Sequence, residues 1–253
     1  MSLQIITSNP DSKRDFDLKQ DHLKISEFFS KTIQGEGVSV GIPAAFLRLK
    51  DCTLNCVWCD TTEVWRFGNP YTYEEIFSLM ESSELVEDLR KGHHLVITGG
   101  SPLKQQKSLI KFINLFIENY GFKPYIEVEN ETVLRIEPEF AELVNQWNNS
   151  PKLANSNMKE KIRYKPDVVS HTSKMNNSWF KFVISTPSDW EELKRDFIEP
   201  NLINRNQIIL MPEGDNQPRL KETREFVAEL AVNENLRFSD RLHVTIWDKK
   251  VGV

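Results

Sequence analysis

Hydrophobic and polar positions along the chain form two alternating kinds of segment. Short apolar runs, typical of buried strands, are followed by longer runs in which apolar residues recur every three or four positions, as on one helix face. The strand-like runs are Leu23–Phe29, Ala44–Leu49, His94–Thr98, Tyr125–Glu129, Asp167–Ser170, Phe180–Ile184, Gln207–Leu210 and Leu242–Trp247. The helical runs are Tyr73–Met80, Leu103–Glu118, Pro138–Gln146, Ser188–Phe197 and Leu220–Val232. Thr72 and Ser188 precede acidic residues at the spacing of capping boxes.

This order of elements predicts an α/β fold with a mainly parallel sheet and helical crossovers. About six strand–helix units follow one another, which favours an incomplete (β/α)6-type TIM barrel over a closed eightfold one. Residues 1–22 are polar and predict a loose lead-in or a weak first strand, and residues 23–253 predict one domain without repeats. Asn148–Lys165 is polar and aperiodic, which predicts an inserted surface loop.

Composition narrows the class of protein. The chain has 253 residues, of which 39% are hydrophobic and 10% aromatic, enough to build a core, so wholesale disorder is excluded. The net charge of -5 argues against a nucleic-acid partner. No apolar run approaches the roughly 18 residues of a membrane span, and the start of the chain lacks the pattern of a secretory signal. We therefore expect a cytoplasmic protein that binds neither nucleic acid nor membrane.

The three cysteines are the first chemical signal. Cys52, Cys56 and Cys59 lie in one C-x3-C-x2-C segment directly after a predicted strand. Such clustering is a poor disulfide framework, and thiolates are the ligands that zinc and iron–sulfur clusters prefer. A structural zinc site needs a fourth ligand, and the nearest histidines are 30 or more residues away. Three ligands on a four-iron cluster would leave one iron open to a small molecule. Spacing alone favours an iron–sulfur cluster but leaves zinc, or no metal, as alternatives.

Other short motifs extend around the cysteines in a fixed order. They are Thr32-Ile33-Gln34-Gly35-Glu36-Gly37, Phe46-Leu47-Arg48-Leu49, Cys59-Asp60-Thr61, Thr98-Gly99-Gly100, Leu210-Met211-Pro212-Glu213-Gly214 and Leu242-His243. With the cysteine loop, this series resembles the 7-carboxy-7-deazaguanine synthases, a family of the radical S-adenosylmethionine superfamily. The resemblance runs from about residue 23 to the C-terminus, and it implies the partial-barrel fold of that superfamily.

The resemblance implies a reaction and its cofactors. A [4Fe-4S] cluster on the three cysteines would bind S-adenosylmethionine and produce a 5'-deoxyadenosyl radical. The radical would take hydrogen from C6 of 6-carboxy-5,6,7,8-tetrahydropterin, whose ring contracts to 7-carboxy-7-deazaguanine with loss of ammonia, in 7-deazapurine (queuosine-type) biosynthesis. Mg2+ held by Thr61 would orient the substrate. The family also implies a homodimer and an electron donor such as flavodoxin.

The resemblance further implies which residues bind the substrate. They are Ile33, Gln34, Gly35, Glu36, Arg48, Thr98, Glu129, His243 and Val253. Arg48 stands out on physical grounds, since it interrupts an apolar strand and needs a carboxylate partner, here that of the substrate. Some of these assignments have plainer alternatives: a turn with solvated side chains for Gln34 and Glu36, an outward-facing arginine for Arg48, and a strand histidine bonded to backbone for His243. Thr61 has the alternative of a loop cap.

The resemblance also implies which residues bind S-adenosylmethionine, and some motifs near them depart from the family's pattern. The set comprises Trp58, Cys59, Asp60, Gly100, Ser170, Lys174, Met211, Pro212, Glu213 and Gly214. Trp58 has the alternative of a core aromatic. The family commonly has Gly-Gly-Glu-Pro, where this chain has Ser101 before Pro102. The family's Glu-Thr-Asn-Gly motif matches residues 127–132 of this chain only with a gap. We place the family's Ser-Pro-Lys motif at Ser170–Lys174.

Two other functions share some of these features. A glycyl-radical-enzyme activase also uses CxxxCxxC, but the residues 32–37 with Arg48 and Thr61 favour a small carboxylated pterin. A non-catalytic zinc-binding module would need the fourth ligand that the sequence lacks. We therefore predict a carbon–nitrogen lyase.

Overall fold

The computed structural model describes residues 2–9, 14–17, 19–250 and 252–253. These residues form a ten-stranded sheet with helices packed against it. The strands are β1 (Leu3–Ile6), β2 (His22–Ile33), β3 (Pro43–Leu49), β4 (Asn69–Thr72), β5 (His94–Gly99), β6 (Tyr125–Asn130), β7 (Gln146–Asn149), β8 (Ser178–Ile184), β9 (Ile208–Pro212) and β10 (Arg237–Phe238).

The sheet has a short antiparallel part and a long parallel part. Strand β2 pairs antiparallel with β1, β3 and β4, and from β3 the order β3-β5-β6-β7-β8-β9-β10 is parallel throughout. The predicted α/β fold with a parallel sheet is therefore confirmed. Within the described residues the sheet is open, because β1 and β10 do not pair with each other. The incomplete (β/α)6-type barrel accordingly remains a prediction.

The helices follow the strands as crossovers. They are α1 (Thr62–Trp65), α2 (Tyr73–Ser82), α3 (Leu85–Arg90), α4 (Gln106–Tyr120), α5 (Pro138–Leu143), α6 (Glu160–Arg163), α7 (Pro166–Ser173), α8 (Pro187–Leu193), α9 (Gln217–Asn233) and α10 (Leu242–Trp247). The capping box at Thr72 is confirmed, since its hydroxyl accepts a hydrogen bond from Glu75 N (3.2 Å). The cap of α8 is Thr186 rather than Ser188, because Pro187 occupies the first helical position.

Two predicted strands are helices. Asp167–Ser170 lies within α7 and Leu242–Trp247 is α10. Runs of four to six apolar residues fit either structure, and Pro166 at the first turn favours the helix in the first case. The prediction for Pro138–Gln146 is too long, because α5 ends at Leu143 and β7 begins at Gln146.

The predicted surface loop at 148–165 is wrong at its beginning. Strand β7 has the sequence Gln-Trp-Asn-Asn and all four residues are buried in the middle of the sheet. Strand β7 is too polar to give a hydropathy signal. Its side-chain amides can be buried because they are hydrogen-bonded inside the sheet. The rest of the segment contains a 3-10 turn at Ala154–Ser156 and α6.

The polar N-terminal segment contains the weak first strand that was one of its two predicted forms. Strand β1 pairs with β2, with Leu3 opposite Ser30. The predicted lead-in also covers residues 1, 10–13 and 18, which lie outside the described residues. None of the helices in the described part of the chain is long and apolar enough to cross a membrane.

Two hydrophobic clusters pack the helices onto the sheet. The first joins β2, β3, β5 and β6 to α2 and α4, through residues such as Phe28, Phe77 and Phe112. The second joins β8 and β9 to α8 and α9, through residues such as Phe182 and Val227. The apolar side chains of α4 recur with helical spacing and are buried against the sheet, as the sequence pattern predicts. This packing leaves the carboxyl ends of the parallel strands free to form a site.

Candidate active site

A large cavity lies at the carboxyl ends of the parallel strands. Residues at or just beyond the ends of β3, β5, β6, β7 and β9 line it, together with the turn after β2 and the C-terminal segment. Its empty volume, including the mouth that opens to solvent, is about 1330 Å³. The carboxyl edge is where parallel α/β sheets place their ligands, which makes this cavity the candidate ligand site.

The cysteine loop forms one wall of this cavity. Cys52, Cys56 and Cys59 all line it, and the loop leaves β3 at Leu49. Leu54 N donates to Cys52 Sγ (3.3 Å), and the Trp65 indole N–H donates to Cys59 Sγ (3.5 Å). Burial raises the pKa of Cys52 to about 11, and it raises the pKa of Cys56 as well.

These donors and this burial suit a cluster. N–H groups directed at sulfur stabilise thiolate ligands and tune an iron–sulfur cluster. A buried thiol is protonated at neutral pH unless a metal replaces its proton. In the described residues, no three His, Cys, Asp or Glu side chains are arranged to hold a single metal ion.

The glycine pair after β5 lets the cysteine loop pass close to the sheet. A Cβ on Gly99, whose φ is +139°, would lie 2.3 Å from Leu49 O. A Cβ on Gly100 would lie 2.2 Å from Asp51 O. Cys52 Sγ donates to Gly100 O (3.2 Å), which ties the first cysteine to the pair. The pair therefore serves the backbone of the cysteine loop, a role that the sequence resemblance does not imply.

A buried cation lies between two of the predicted substrate-binding carboxylates. Lys181 Nζ is 2.8 Å from Glu36 Oε2 and 2.8 Å from Glu129 Oε2. Burial alone would raise the pKa of Glu36, but Lys181 and Arg241 hold it well below its usual range. Burial raises the pKa of Glu129 in spite of Lys181. Two carboxylates that share one ammonium thus differ in how readily they take a proton.

Arg241 connects this pair to the cysteine loop. Its Nε donates to Glu36 Oε1 (3.0 Å), its Nη1 to Gly214 O (2.5 Å), and its Nη2 to Asp60. Burial alone would raise the pKa of Asp60, but the charge of Arg241 lowers it below its usual value. The guanidinium therefore joins three of the segments that the sequence resemblance singles out: the turn after β2, the loop after the last cysteine and the segment after β9.

A layer of amides continues from the cavity into the sheet. Gln34 Nε2 donates to Glu127 Oε2 (3.1 Å), and Asn148 Nδ2 donates to the same oxygen (2.7 Å). His94 Nδ1 lies 2.5 Å from the other oxygen of Glu127. Burial alone would raise the pKa of Glu127, but the hydrogen bonds from His94, Asn148 and Gln34 lower it below its usual value. Gln34 is 2% exposed, so its alternative interpretation as a solvated turn residue is wrong.

Arg48 faces the cavity and is not a solvated strand residue. Its side chain is 13% exposed and its Nε donates to Glu27 Oε1 (2.7 Å) on the adjacent strand β2. In the described part of the chain, its terminal Nη groups have no protein partner. A guanidinium fixed on one side by a carboxylate keeps its other donors available for a second one.

The C-terminal segment closes over the turn that follows β2. Leu242 N donates to Gly35 O (2.9 Å), and a Cβ on Gly35 would lie 2.2 Å from His243 Nδ1. His243 lies in the first turn of α10 and its Nε2 is 3.9 Å from Glu36 Oε1, so it is not a strand histidine. Burial lowers the pKa of His243. Val253 lines the cavity, and Gln4 Nε2 donates to the neighbouring Gly252 O (3.0 Å).

Most of the other predicted site residues also line the cavity. They are Ile33, Trp58, Thr61, Thr98, Met211, Pro212 and Glu213. The Trp58 indole donates to Asn155 Oδ1 (3.2 Å), and the Thr61 hydroxyl is 3.7 Å from Cys59 Sγ.

Ser170 and Lys174 do not belong to this set. They lie in α7 and at its end, and Gln207, just before β9, donates to Ser173 O (3.1 Å) and Ser178 O (3.0 Å). The end of α7 is therefore at the amino edge of β8 and β9, opposite the cavity.

The expected Ser-Pro-Lys occurs elsewhere, as Ser150-Pro151-Lys152. It directly follows β7, and Ser150 and Lys152 line the cavity. Lys152 Nζ donates to Ser150 Oγ (2.7 Å) and lies 5.4 Å from the centre of the Trp58 ring. The motif is contiguous in the sequence, but the polar residues of β7 before it predict a loop, which hides its position at the end of a strand.

A tight turn directly follows β6. Thr132 has a φ of 60°, the left-handed conformation that glycine adopts most readily. Asn130 Oδ1 accepts from Thr132 N (3.1 Å) and supports this turn.

Four charged residues of the cavity were not predicted from the sequence: Lys152, Lys181, Arg241 and Glu131. Lys181 interrupts the apolar strand β8 just as Arg48 interrupts β3, so the argument used for Arg48 applies to it. Arg241 carries no comparable signal, because only the fold brings residue 241 beside Asp60.

The fold and the cysteine-lined cavity define an iron–sulfur enzyme of the radical S-adenosylmethionine type. Residues 33–153 match the family model described as a 4Fe-4S single cluster domain. The chain is 31% identical to 7-carboxy-7-deazaguanine synthase from Pyrobaculum aerophilum over 91% of this chain and 97% of that one. It therefore belongs to the 7-carboxy-7-deazaguanine synthase family, whose members are lyases.

Two further comparisons agree with this membership. The chain is 27% identical to 7-carboxy-7-deazaguanine synthase from Halobacterium salinarum over 89% of this chain and 91% of that one. Its fold resembles the crystal structure of QueE from Escherichia coli, with a TM-score of 0.62 at 22% identity, covering 88% of this chain and 95% of that chain.

Proposed function

We propose that the protein converts 6-carboxy-5,6,7,8-tetrahydropterin to 7-carboxy-7-deazaguanine with loss of ammonia, as a step of queuosine-type 7-deazapurine biosynthesis. The observation that carries this proposal is the single cavity in which Cys52, Cys56 and Cys59 face Arg48 and Glu36. A cysteine-bound cluster and a carboxylated pterin would meet there. We also propose that the sheet has the form of an incomplete barrel.

The cysteines and the segments around them would hold the cofactors. The [4Fe-4S] cluster and S-adenosylmethionine, when bound, supply the radical that removes hydrogen from C6 of the substrate. Trp58, Asp60, Gly100, Ser150, Lys152 and residues 211–214 line the cavity and would hold S-adenosylmethionine, with Lys152 as the cation for its carboxylate.

The substrate would bind on the opposite side of the cavity. The free Nη groups of Arg48 would bind its carboxylate in a bidentate pair. Gln34, Glu36 and Glu129 would face the donors and acceptors of the pterin ring, with Ile33, Gly35 and Thr98 shaping the backbone around it. His243 and Val253 would close the cavity over the ring.

Thr61 would hold Mg2+ together with the substrate. A hydroxyl is a weak ligand, but Mg2+ keeps several waters and needs few protein ligands. Asp60, the adjacent carboxylate, is paired with Arg241 and not free for the ion. We further propose that the enzyme acts as a homodimer in the cytoplasm, reduced by a flavodoxin-type donor, as the family resemblance implies.

The test is anaerobic reconstitution followed by a product assay. We expect bound iron and sulfide, and formation of 7-carboxy-7-deazaguanine from substrate, reductant, S-adenosylmethionine and Mg2+. The variant Cys56→Ala should bind little iron and form no product, whereas Thr61→Ala should keep its iron and lose its dependence on Mg2+. Iron-replete wild-type protein that forms no product, under conditions that activate another family member, would refute the proposal.

A further inference from the structure

Glu131 is a buried residue of the cavity lining, and one of its carboxylate oxygens has no hydrogen-bond partner in the described part of the chain. It follows β6, lines the cavity and is 6% exposed. Its Oε1 accepts from Ser101 Oγ (2.5 Å) and Thr53 Oγ1 (2.7 Å). Its Oε2 is buried and has no hydrogen-bond partner in the described part of the chain. A buried acceptor without a partner is costly, so a ligand that donates to it would relieve the cost.

The two hydroxyls that hold Glu131 place it beside the cluster loop. Thr53 follows Cys52, and Ser101 follows Gly100, whose carbonyl accepts from Cys52 Sγ. The carboxylate therefore lies next to the first cysteine, on the side of the loop that faces the cavity. A ligand that binds a cluster held by this loop comes within reach of Glu131.

The chemistry of the free oxygen selects the group that it binds. A carboxylate accepts hydrogen bonds and repels anions, so it would bind a nitrogen donor. Resting on the proposed function, the ligand at the cluster is S-adenosylmethionine, which carries one amino group and one carboxylate near the iron. Lys152 lies on the same cavity wall and suits the carboxylate, which leaves the amino group for Glu131.

We propose that Glu131 binds the amino group of S-adenosylmethionine and supplies the carboxylate that Ser101 lacks. The family commonly has glutamate where this chain has Ser101, in the segment directly after β5. Here the Ser101 hydroxyl instead donates to Glu131, in the segment directly after β6, and so orients that carboxylate. The carboxylate is therefore supplied by the segment after the neighbouring strand.

The test measures binding of S-adenosylmethionine to iron-replete protein by anaerobic equilibrium dialysis. Loss of a hydrogen bond to a charged group predicts that Glu131→Gln binds about 10- to 100-fold more weakly. The double variant Ser101→Glu, Glu131→Ser returns the carboxylate to position 101 and should recover most of the affinity. The exposed Glu139→Gln on α5 is the matched control and should bind as wild type does.

A ligand without the amino group separates this role from a merely structural one. The desamino analogue of S-adenosylmethionine should bind wild type and Glu131→Gln equally, because Glu131 then has nothing to bind. Equal affinity of the two proteins for S-adenosylmethionine itself would overturn the proposal. So would loss of iron from Glu131→Gln that the double variant does not restore. Wild-type protein that holds its cluster but binds no S-adenosylmethionine would instead overturn the proposed function.

Discussion

Lys181 and Glu36 form a 2.8 Å ion pair that joins strand β8 to the turn after β2. These residues are 145 positions apart in the chain, and the Lys181 side chain is 2% exposed. Arg241 and Glu129 complete the network around them. Charges on four separate segments are therefore balanced against one another within the candidate site before any ligand binds.

Removing Lys181 should destabilise the protein strongly. In Lys181→Met, Glu36 and Glu129 keep their burial without their shared cation, which typically costs about 3–5 kcal/mol. Urea unfolding of the cluster-free protein measures the change. Lys111→Met, which breaks the exposed pair with Asp21, should cost less than about 1 kcal/mol. Similar losses in the two variants would contradict this account of the network.

Adding one methyl group at Gly35 should disturb the docking of the C-terminal segment. The new Cβ would lie 2.2 Å from the His243 ring, so we expect Gly35→Ala to lose about 1–3 kcal/mol of unfolding free energy. Thermal unfolding provides the measurement. In Gly35→Ala, His243→Ala the obstructing ring is gone, and the penalty for the methyl group should largely disappear. Additive losses would mean that the two residues do not touch.

The free energy of unfolding should depend on pH through His243. Because burial lowers its pKa, the unfolded chain takes up the proton first as the pH falls below about 6.5. Stability contributed by the neutral ring is therefore complete above that pH and decreases towards its lower folded pKa. Urea unfolding between pH 8 and pH 5 should show a shallower loss in His243→Asn than in wild type. The exposed His171→Asn is the control, and an unchanged slope in His243→Asn would count against this assignment.

Cys52 should be a slow nucleophile in the cluster-free protein. With a pKa of about 11, roughly one thiol in a thousand is ionised at pH 8. Iodoacetamide labelling, followed by peptide mass spectrometry, should therefore be much slower at Cys52 in folded than in urea-unfolded protein. The rate in folded protein should rise about tenfold per pH unit up to pH 10. Equal rates in both states would show that burial does not protect this thiol.

Arg48 should act on substrate affinity through its two free Nη groups. Lysine at this position reaches either Glu27 or the substrate carboxylate, but it cannot bind both with a fixed fork. We expect Arg48→Lys to raise KM for the carboxypterin about 10- to 100-fold, as for one lost charged hydrogen bond. Arg90→Lys, at an exposed site on α3, should leave KM unchanged. An unchanged KM in Arg48→Lys would remove Arg48 from the carboxylate site.

Much of the fold and of the site could be predicted from the order of residues alone. Apolar periodicity located β2, β3, β5, β6, β8 and β9 with the main helices, because their buried faces repeat at a fixed spacing. The cysteine spacing and the motifs around it identified the cavity-lining segments, since these residues are close together along the chain. A polar central strand such as β7 left no hydropathy signal, and the Ser-Pro-Lys motif after it was consequently misplaced.

How those segments combine in the site could not be predicted without the folded structure. Partners such as Arg241 and Asp60, or Glu131 and Ser101, are far apart in sequence, and nothing local indicates their pairing. In the folded chain Glu36 is balanced by Lys181, whereas one oxygen of Glu131 is left without a partner in the described residues. Both outcomes depend on which side chains are buried together. The physical reason is that hydrogen bonding and desolvation depend on distances in space, which the order of residues does not fix.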